Sequence, residues 1–342
     1  MDTLFLVATE QGILSAAETI RRGGLCALPT ETVYGLGANG FDPQAVKNIF
    51  LAKGRPQDNP LILHIADWSM LEELVEEIPP LAKKMADAFW PGPLTMILKR
   101  KACVPDEVTA GLDTVAIRMP SDPVMRAVIL QAGVPIAAPS ANRSGKPSPT
   151  TAKHVSDDLD GRIDLILDGG PCEIGLESTI VNLASNPPAL LRPGGITLEQ
   201  LRLIAPELII DPALMGVATE PPLAPGMKYR HYAPEGTITV VDGDREKVVA
   251  YIKDALKEAN GKTAVIAPEG YFSDTDADLV LSLGDTAESA AQRLFAALRT
   301  CDDAGVTRIY AVDCGTQGIG LALCNRLYKA AGFQVIDLEE NL

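Results

Sequence analysis

The sequence predicts an α+β protein in two parts: an N-terminal twisted mixed sheet with helices, a proline-rich linker, and a small C-terminal α/β domain. Three observations carry this prediction. The chain has 342 residues, enough for two domains that each bury a core. Up to residue 205 short apolar runs are unevenly interspersed with helical segments, whereas beyond residue 236 strands and helices alternate. Between them, from Asp211 to Pro234, the texture changes, and four prolines within Pro221–Pro234 stop both helix and sheet. The expected division is therefore 1–205, a linker or lid at 206–235, and 236–342.

In the first part, apolar runs predict strands at Leu25–Leu28, Leu61–Ile65, Leu94–Lys99, Val115–Met119, Asp164–Leu167, Ser178–Asn182 and Ala189–Arg192. Helices are expected at Ile13–Arg22, Pro43–Lys53, Ala82–Phe89 and Pro123–Gln131. Two of these have a strong start, Asp42-Pro43 and Asp122-Pro123, in which the aspartate caps and the proline occupies the first helical position. Helices do not separate the strands evenly, so a mixed sheet fits better than a doubly wound one.

In the second part, strands are expected at Thr237–Val241, Thr263–Ala267, Leu279–Leu283, Arg308–Val312 and Gln334–Asp337. Helices are expected at Arg245–Ala259, ended by Asn260-Gly261, at Thr286–Ala304, closed by Gly305, and at Gly320–Ala331, closed by Gly332. This alternation describes a compact Rossmann-like domain with a parallel sheet.

Composition narrows the function classes. With 46% apolar and 22% charged residues the chain is an ordinary globular protein. Its 30 Lys and Arg against 45 Asp and Glu give a net charge of −15, which argues against gripping nucleic acid phosphates as the main task. Both parts are acidic: 18 basic against 24 acidic residues up to residue 205, and 12 against 21 beyond it. No apolar run approaches the length of a membrane span, and Met1-Asp2-Thr3-Leu4 lacks the basic start of a signal peptide, so a cytoplasmic protein is expected. Six scattered cysteines without CxxC spacing read as reduced, packed thiols.

Several segments have residue types suited to ligand chemistry. Gly35-Leu36-Gly37-Ala38-Asn39-Gly40 matches G-x-G-x-x-G, but no strand is expected just before it and no helix opens inside it, so it reads as a turn-forming loop. Gly315–Gly320 suits either an anion at the next helix start or a tight strand-to-helix turn. Lys53-Gly54-Arg55-Pro56-Gln57-Asp58-Asn59-Pro60 offers a point charge, a guanidinium fork and an amide, a polyphosphate set or equally a solvated loop. Pro139–Thr150 is dense in hydroxyls and carries Ser140, Asn142, Arg143 and Ser148, donors for an anionic ligand or an ordinary Ser/Pro loop. Arg118, Ser178, Thr179 and Arg192 stand at strand ends, and the cations of these strand ends and loops together predict one electropositive concavity in an acidic protein. Of the three histidines, His64 reads as a satisfied core residue, His154 as a surface residue on a polar helix, and His231 falls in the linker. No Ser-His-Asp arrangement, HExxH or metal cluster is recognisable.

These segments together resemble a known family. Pro29-Thr30-Glu31-Thr32-Val33-Tyr34-Gly35-Leu36-Gly37, Lys53-Gly54-Arg55-Pro56, Asn59-Pro60-Leu61, Trp90-Pro91-Gly92-Pro93-Leu94-Thr95, Ala137–Asn142 and Leu191-Arg192-Pro193-Gly194 are similar to blocks of the YrdC-type threonylcarbamoyl-AMP synthases. Ala224–Pro234 and the trailing domain resemble the long two-domain form. The resemblance implies a YrdC-like N-terminal domain that joins L-threonine, bicarbonate and ATP into threonylcarbamoyl-adenylate and pyrophosphate. The product would pass to a separate tRNA-modifying complex for N6-threonylcarbamoyladenosine. By resemblance, Thr32, His64, Arg118, the Ala138 backbone and Ser178 would hold threonine. Lys53, Arg55, Asn59, Thr114, Ser140, Asn142, Ser148, Arg192 and Tyr232 would surround ATP, with Mg2+ arriving on the triphosphate, and linker residues near Tyr232 would close over the cleft. No general base is named.

Two other classes meet the same residues. A double-stranded RNA-binding module would use the concavity as its whole function, but the acidic charge and the missing aromatic run weigh against it. A carbamoyl-transfer maturation protein would need zinc-binding CxxC repeats, which this sequence lacks.

Overall fold

The computed structural model describes residues 2–215, 232–272 and 275–339. Two compact units divide them: 2–144 with 148–215, and 145–147 with the residues from 232 onward.

The first unit contains β1 (Leu4–Val7), α1 (Glu10–Arg21), β2 (Cys26–Leu28), β3 (Gly35–Asn39), α2 (Pro43–Lys53), β4 (Ile62–His64), α3 (Trp68–Leu74) and α4 (Pro80–Phe89). It continues with β5 (Leu94–Lys99), α5 (Asp106–Thr109), β6 (Thr114–Arg118), α6 (Pro123–Ala132), β7 (Ile136–Ala137) and α7 (Ala152–Leu159). It closes with β8 (Leu165–Asp168), β9 (Thr179–Asn182), β10 (Ala189–Arg192), α8 (Leu198–Ile204) and β11 (Ile209–Ile210). The strands form one mixed sheet in the order β1-β8-β2-β3-β7-β4-β6-β5-β9-β10-β11. Parallel pairs such as β4/β6 and β5/β9 sit beside antiparallel ones such as β5/β6 and β9/β10.

Strand periodicity sorts the apolar residues onto two faces. Ala27, Leu63, Met96, Ile117, Ile166 and Val181 enter one core cluster. On the opposite face Cys26, Leu28, Ile136, Leu165 and Leu167 pack against α1 and α6, while Ile62, Ile97, Ala116 and Ile180 form a smaller cluster. Helix ends follow the sequence signals. Asp42 Oδ1 accepts from the Gln44 and Ala45 amides, Asp122 from the Met125 amide, and Gly54 and Gly133 close α2 and α6 in left-handed conformation.

Two expectations need correction. Gly35–Asn39 is not a turn-forming loop but a strand, paired antiparallel with both β2 and β7. Its glycines face crowded neighbours: a Cβ on Gly37 would lie 2.9 Å from Ile136 Cγ2 and 3.2 Å from Leu28 Cδ1. Close packing explains glycine here despite its poor strand propensity. Nor does the linker begin at 206, because β11 pairs in parallel with β10 and Leu208 is buried in the main core. A single 3-10 turn follows at Pro212–Met215, and residues 216–231 of the expected linker, His231 among them, lie outside the described residues.

The second unit contains β12 (Thr237–Asp242), α9 (Arg245–Glu258), β13 (Thr263–Ala267), β14 (Leu279–Ser282), α10 (Ala287–Asp303), β15 (Arg308–Val312), α11 (Gly320–Ala330) and β16 (Val335–Asp337). Its sheet is parallel, in the order β14-β13-β15-β12-β16, the Rossmann-like arrangement expected from the alternation. Among the described residues no helix is long and apolar enough to cross a membrane.

Candidate active site

The site begins as a change of chemistry along three neighbouring strands. Ile62, Ala116 and Ile97 lie side by side across β4, β6 and β5 in an apolar row. Two residues on, the same face carries His64, Arg118 and Thr95 as the next row, since Arg118 pairs with His64 on one side and Thr95 on the other. All three are buried.

The loop between β2 and β3 brings its side chains to this row. Thr30 Oγ1 accepts from the Thr32 and Val33 amides, a local turn that bends the chain. The carbonyls of Glu31 and Thr32 are held by the amides of Ile174 and Gly175. Arg118 Nη1 donates to Thr32 Oγ1 at 2.8 Å, its Nε donates to the Gly92 carbonyl at 3.3 Å, and its Nη2 makes an ion pair with Glu31 Oε1 at 2.7 Å. Burial alone would push the Glu31 carboxyl up. The Arg118 charge, the Arg118 hydrogen bond and the Ser121 amide outweigh it, so its pKa lies below the usual carboxylate range.

His64 departs from the expected satisfied core histidine. Its Nδ1 has no hydrogen-bond partner among the described residues. Burial, helped by the Arg118 charge, lowers its pKa to about 3, so the imidazole is neutral at physiological pH.

Ser178 joins from the start of β9. Its Oγ lies 2.8 Å from Thr95 Oγ1 and accepts from Arg192 Nη2 at 3.0 Å, while Arg192 Nε donates to the Ser178 carbonyl at 3.0 Å. The Arg192-Pro193-Gly194 block then runs against the Ser178 backbone. A Cβ on Gly194 would lie 2.3 Å from the Thr179 amide nitrogen and 2.4 Å from the Glu177 carbonyl oxygen, which only glycine avoids. Beside it, Ser148 Oγ donates to Glu177 Oε1 at 2.5 Å.

A second cluster forms where α2 ends. Lys53 is buried and donates to the carbonyls of Ser140 and Asn142, each at 2.5 Å, and Ser140 Oγ donates to Asn142 Oδ1 at 2.6 Å. Lys53 therefore shapes the 140–142 loop as well as placing a charge there. Arg55 lies over the Phe50 ring just past Gly54, and Asn59 is buried before β4.

The expected threonine set is thus largely contiguous: His64 and Arg118 are neighbours in the row, Thr32 joins it through Arg118 and Ser178 through Thr95. The Ala138 amide is committed to the Ile62 carbonyl, so Ala138 does not offer that donor. Within the expected ATP set, Arg192 connects to Ser178, and Lys53, Ser140 and Asn142 connect to each other. Thr114 stands apart at the other end of β6, on the Arg118 face but four residues, or about 13 Å, along the strand. Tyr232 is grouped with the second unit, where its ring stacks on Phe295 with centroids 5.2 Å apart. The sequence reading missed Glu31, Thr95 and Glu177 as site residues. A usable signal existed for Thr95, a polar residue inside the apolar run Leu94–Leu98.

Two family models match this chain. The Sua5/YciO/YrdC model, described as "Telomere recombination", matches residues 18–194, and the model described as "Threonylcarbamoyl-AMP synthase, C-terminal domain" matches residues 196–332. The chain is 51% identical over 330 residues to the threonylcarbamoyl-AMP synthase of Pyrococcus abyssi, covering 96% of each chain. It is 48% identical over 337 residues to that of Bacillus subtilis, covering 97% of this chain and 96% of the relative. The crystal structure of P. abyssi Sua5 complexed with L-threonine matches with a TM-score of 0.95 at 48% identity, over 99% of this chain and 100% of that one.

Proposed function

The chain belongs to the Sua5/YciO/YrdC family, and we infer that it is a threonylcarbamoyl-AMP synthase, an enzyme serving threonylcarbamoyladenosine formation in tRNA. The observation that carries this reading is the agreement with a threonylcarbamoyl-AMP synthase over 96% of the chain, both domains included. The L-threonine bound to P. abyssi Sua5 supports threonine as a substrate here.

In this reading L-threonine, bicarbonate and ATP are the substrates. Bicarbonate takes up a proton and separates into carbon dioxide and water; the neutral threonine amine adds to the carbon dioxide and gives up a proton, forming a carbamate. A carbamate oxygen then attacks the α-phosphorus, forming threonylcarbamoyl-adenylate as the bond to pyrophosphate breaks. Such steps depend on positioning and charge stabilisation, without a covalent enzyme nucleophile. Arg118 would clamp the threonine carboxylate, with Thr32 and the neutral His64 beside it. Ser178 and Arg192, joined by hydrogen bonds, would link the threonine end to the ATP end. Lys53, Arg55, Asn59, Ser140, Asn142 and Ser148 would surround ATP, with Thr114 farther along the same sheet face. Mg2+ would enter complexed to ATP as part of the substrate. The product would pass to a separate tRNA-modifying complex.

The test is pyrophosphate release by the purified protein with Mg-ATP, omitting threonine and bicarbonate in turn. Release that requires both, with a threonylcarbamoyl-adenylate mass in the mixture, is expected. Release without threonine would identify another acceptor, and no release from folded protein would overturn the reading.

A further inference from the structure

Three buried polar atoms around the Arg118 guanidinium have no hydrogen-bond partner among the described residues: Glu31 Oε2, Arg118 Nη2 and His64 Nδ1. Buried polar atoms without a hydrogen bond are rare in folded proteins, so three in one place need an explanation.

The form of the Glu31–Arg118 pair supplies one. Arginine and a carboxylate commonly meet as two parallel hydrogen bonds. Here Thr32 occupies Nη1 and the Ser121 amide occupies Oε1, and the pair meets through one oxygen and one nitrogen, 2.7 Å apart. Nη2 has Oε1 as its one ion-pair contact, and Oε2 is left over. One atom can only donate and carries positive charge; the other, ionised, can only accept and carries negative charge.

That arrangement mirrors an α-amino acid, in which one carbon separates an ammonium from a carboxylate. We propose that Glu31 receives the α-ammonium of the amino-acid substrate while Arg118 receives its carboxylate, so that the pair reads the zwitterion as a unit. The proposal rests on the threonine-dependent synthase reading and adds a specificity-determining residue to it. Glu31 is suited to this role because the Arg118 charge and the Ser121 amide keep it ionised despite burial. Without Glu31, the threonine ammonium would be desolvated close to the Arg118 guanidinium with no carboxylate paired to that charge, at a large desolvation cost.

The experiment compares L-threonine with 3-hydroxybutanoate, the same molecule without its amine, by titration calorimetry on the full-length wild-type chain and Glu31→Gln. In the wild type, losing the amine is expected to weaken binding about tenfold or more. Glu31→Gln should weaken L-threonine while sparing 3-hydroxybutanoate, narrowing the difference to about threefold or less. Equal weakening of both ligands would overturn the proposal and leave Glu31 as a prop for Arg118 alone, and an undiminished preference for threonine would overturn it as well. If Glu31→Gln fails to fold by thermal melting, Glu31→Asp, which keeps the charge but withdraws it by one methylene, carries the same comparison with the same outcomes. Pyrophosphate release separates the two levels: threonine-dependent release with no amine effect sinks only this proposal, whereas wild type that neither binds nor uses threonine sinks the underlying reading too.

Discussion

Arg118 and Glu31 form an ion pair 2.7 Å apart in which each side chain is only 4% exposed. Two charges withdrawn from water cost several kcal/mol each before their attraction is counted, so such a pair is weak evidence for stability alone. Its surroundings, Thr32, Gly92 and Ser121, hold the guanidinium and the carboxylate in fixed positions. That suits a clamp that must be in place before a substrate arrives.

Arg118→Ala removes this clamp. The threonine KM should rise by roughly ten- to a hundredfold, the worth of a charge-assisted hydrogen bond, while the ATP KM changes little. Steady-state kinetics with each substrate varied in turn check this, and equal effects on both would count against a carboxylate clamp. The variant should also lose about 3–5 kcal/mol of stability, because Glu31 stays buried without its partner.

His64 predicts a pH dependence of stability. Its folded pKa of about 3 is below the unfolded value of 6.5, so the unfolded chain takes up the proton first as pH falls. Above about 6.5 both states are neutral and the residue has no effect. Between 6.5 and about 3 stability falls with pH, by up to about 1.4 kcal/mol per unit, and the loss levels off below 3. Glu31, with its lowered pKa, also loses stability on acidification, so the His64 share must be isolated. Denaturant unfolding at pH 7, 6 and 5 should show a shallower decline in His64→Gln than in the wild type; identical slopes would refute a neutral, buried imidazole.

The two glycines at 194 and 54 should respond differently to alanine. At Gly194 a Cβ meets backbone at 2.3 Å, so Gly194→Ala must displace the segment holding Ser178 and should cost several kcal/mol along with synthesis. At Gly54 nothing lies within 4 Å of a Cβ, and only the left-handed φ of 62° opposes alanine. Gly54→Ala should cost about 1 kcal/mol. Thermal melting of both variants is the measurement, and comparable losses would contradict the close approach at Gly194.

Leu208 and Leu203 test where the first unit ends. Leu208 is 2% exposed in the main core, whereas Leu203, on α8, is 86% exposed. Leu208→Ala should destabilise by about 2–5 kcal/mol and Leu203→Ala by no more than about 0.5 kcal/mol. Indistinguishable melting temperatures would return residue 208 to the linker.

Much of this protein was legible from residue order alone. The strands at 94–99, 189–192, 263–267 and 308–312 and the helix at 43–53 coincide with the expected spans, because local apolar pattern, caps and terminal glycines set them. The blocks around Thr32, Lys53, Ser140 and Arg192 were recognisable as one family's, since spacing in the chain survives without coordinates. Tertiary structure decided the rest. Gly35–Asn39 became a strand because β2 and β7 pair with it on either side, and Ile209–Ile210 became one because β10 was there to pair with it. The partnership of Glu31, Arg118 and His64 joins residues from a loop and two strands, more than 80 positions apart at its widest. Hydrogen bonding and charge act across space, so no local pattern could reveal it.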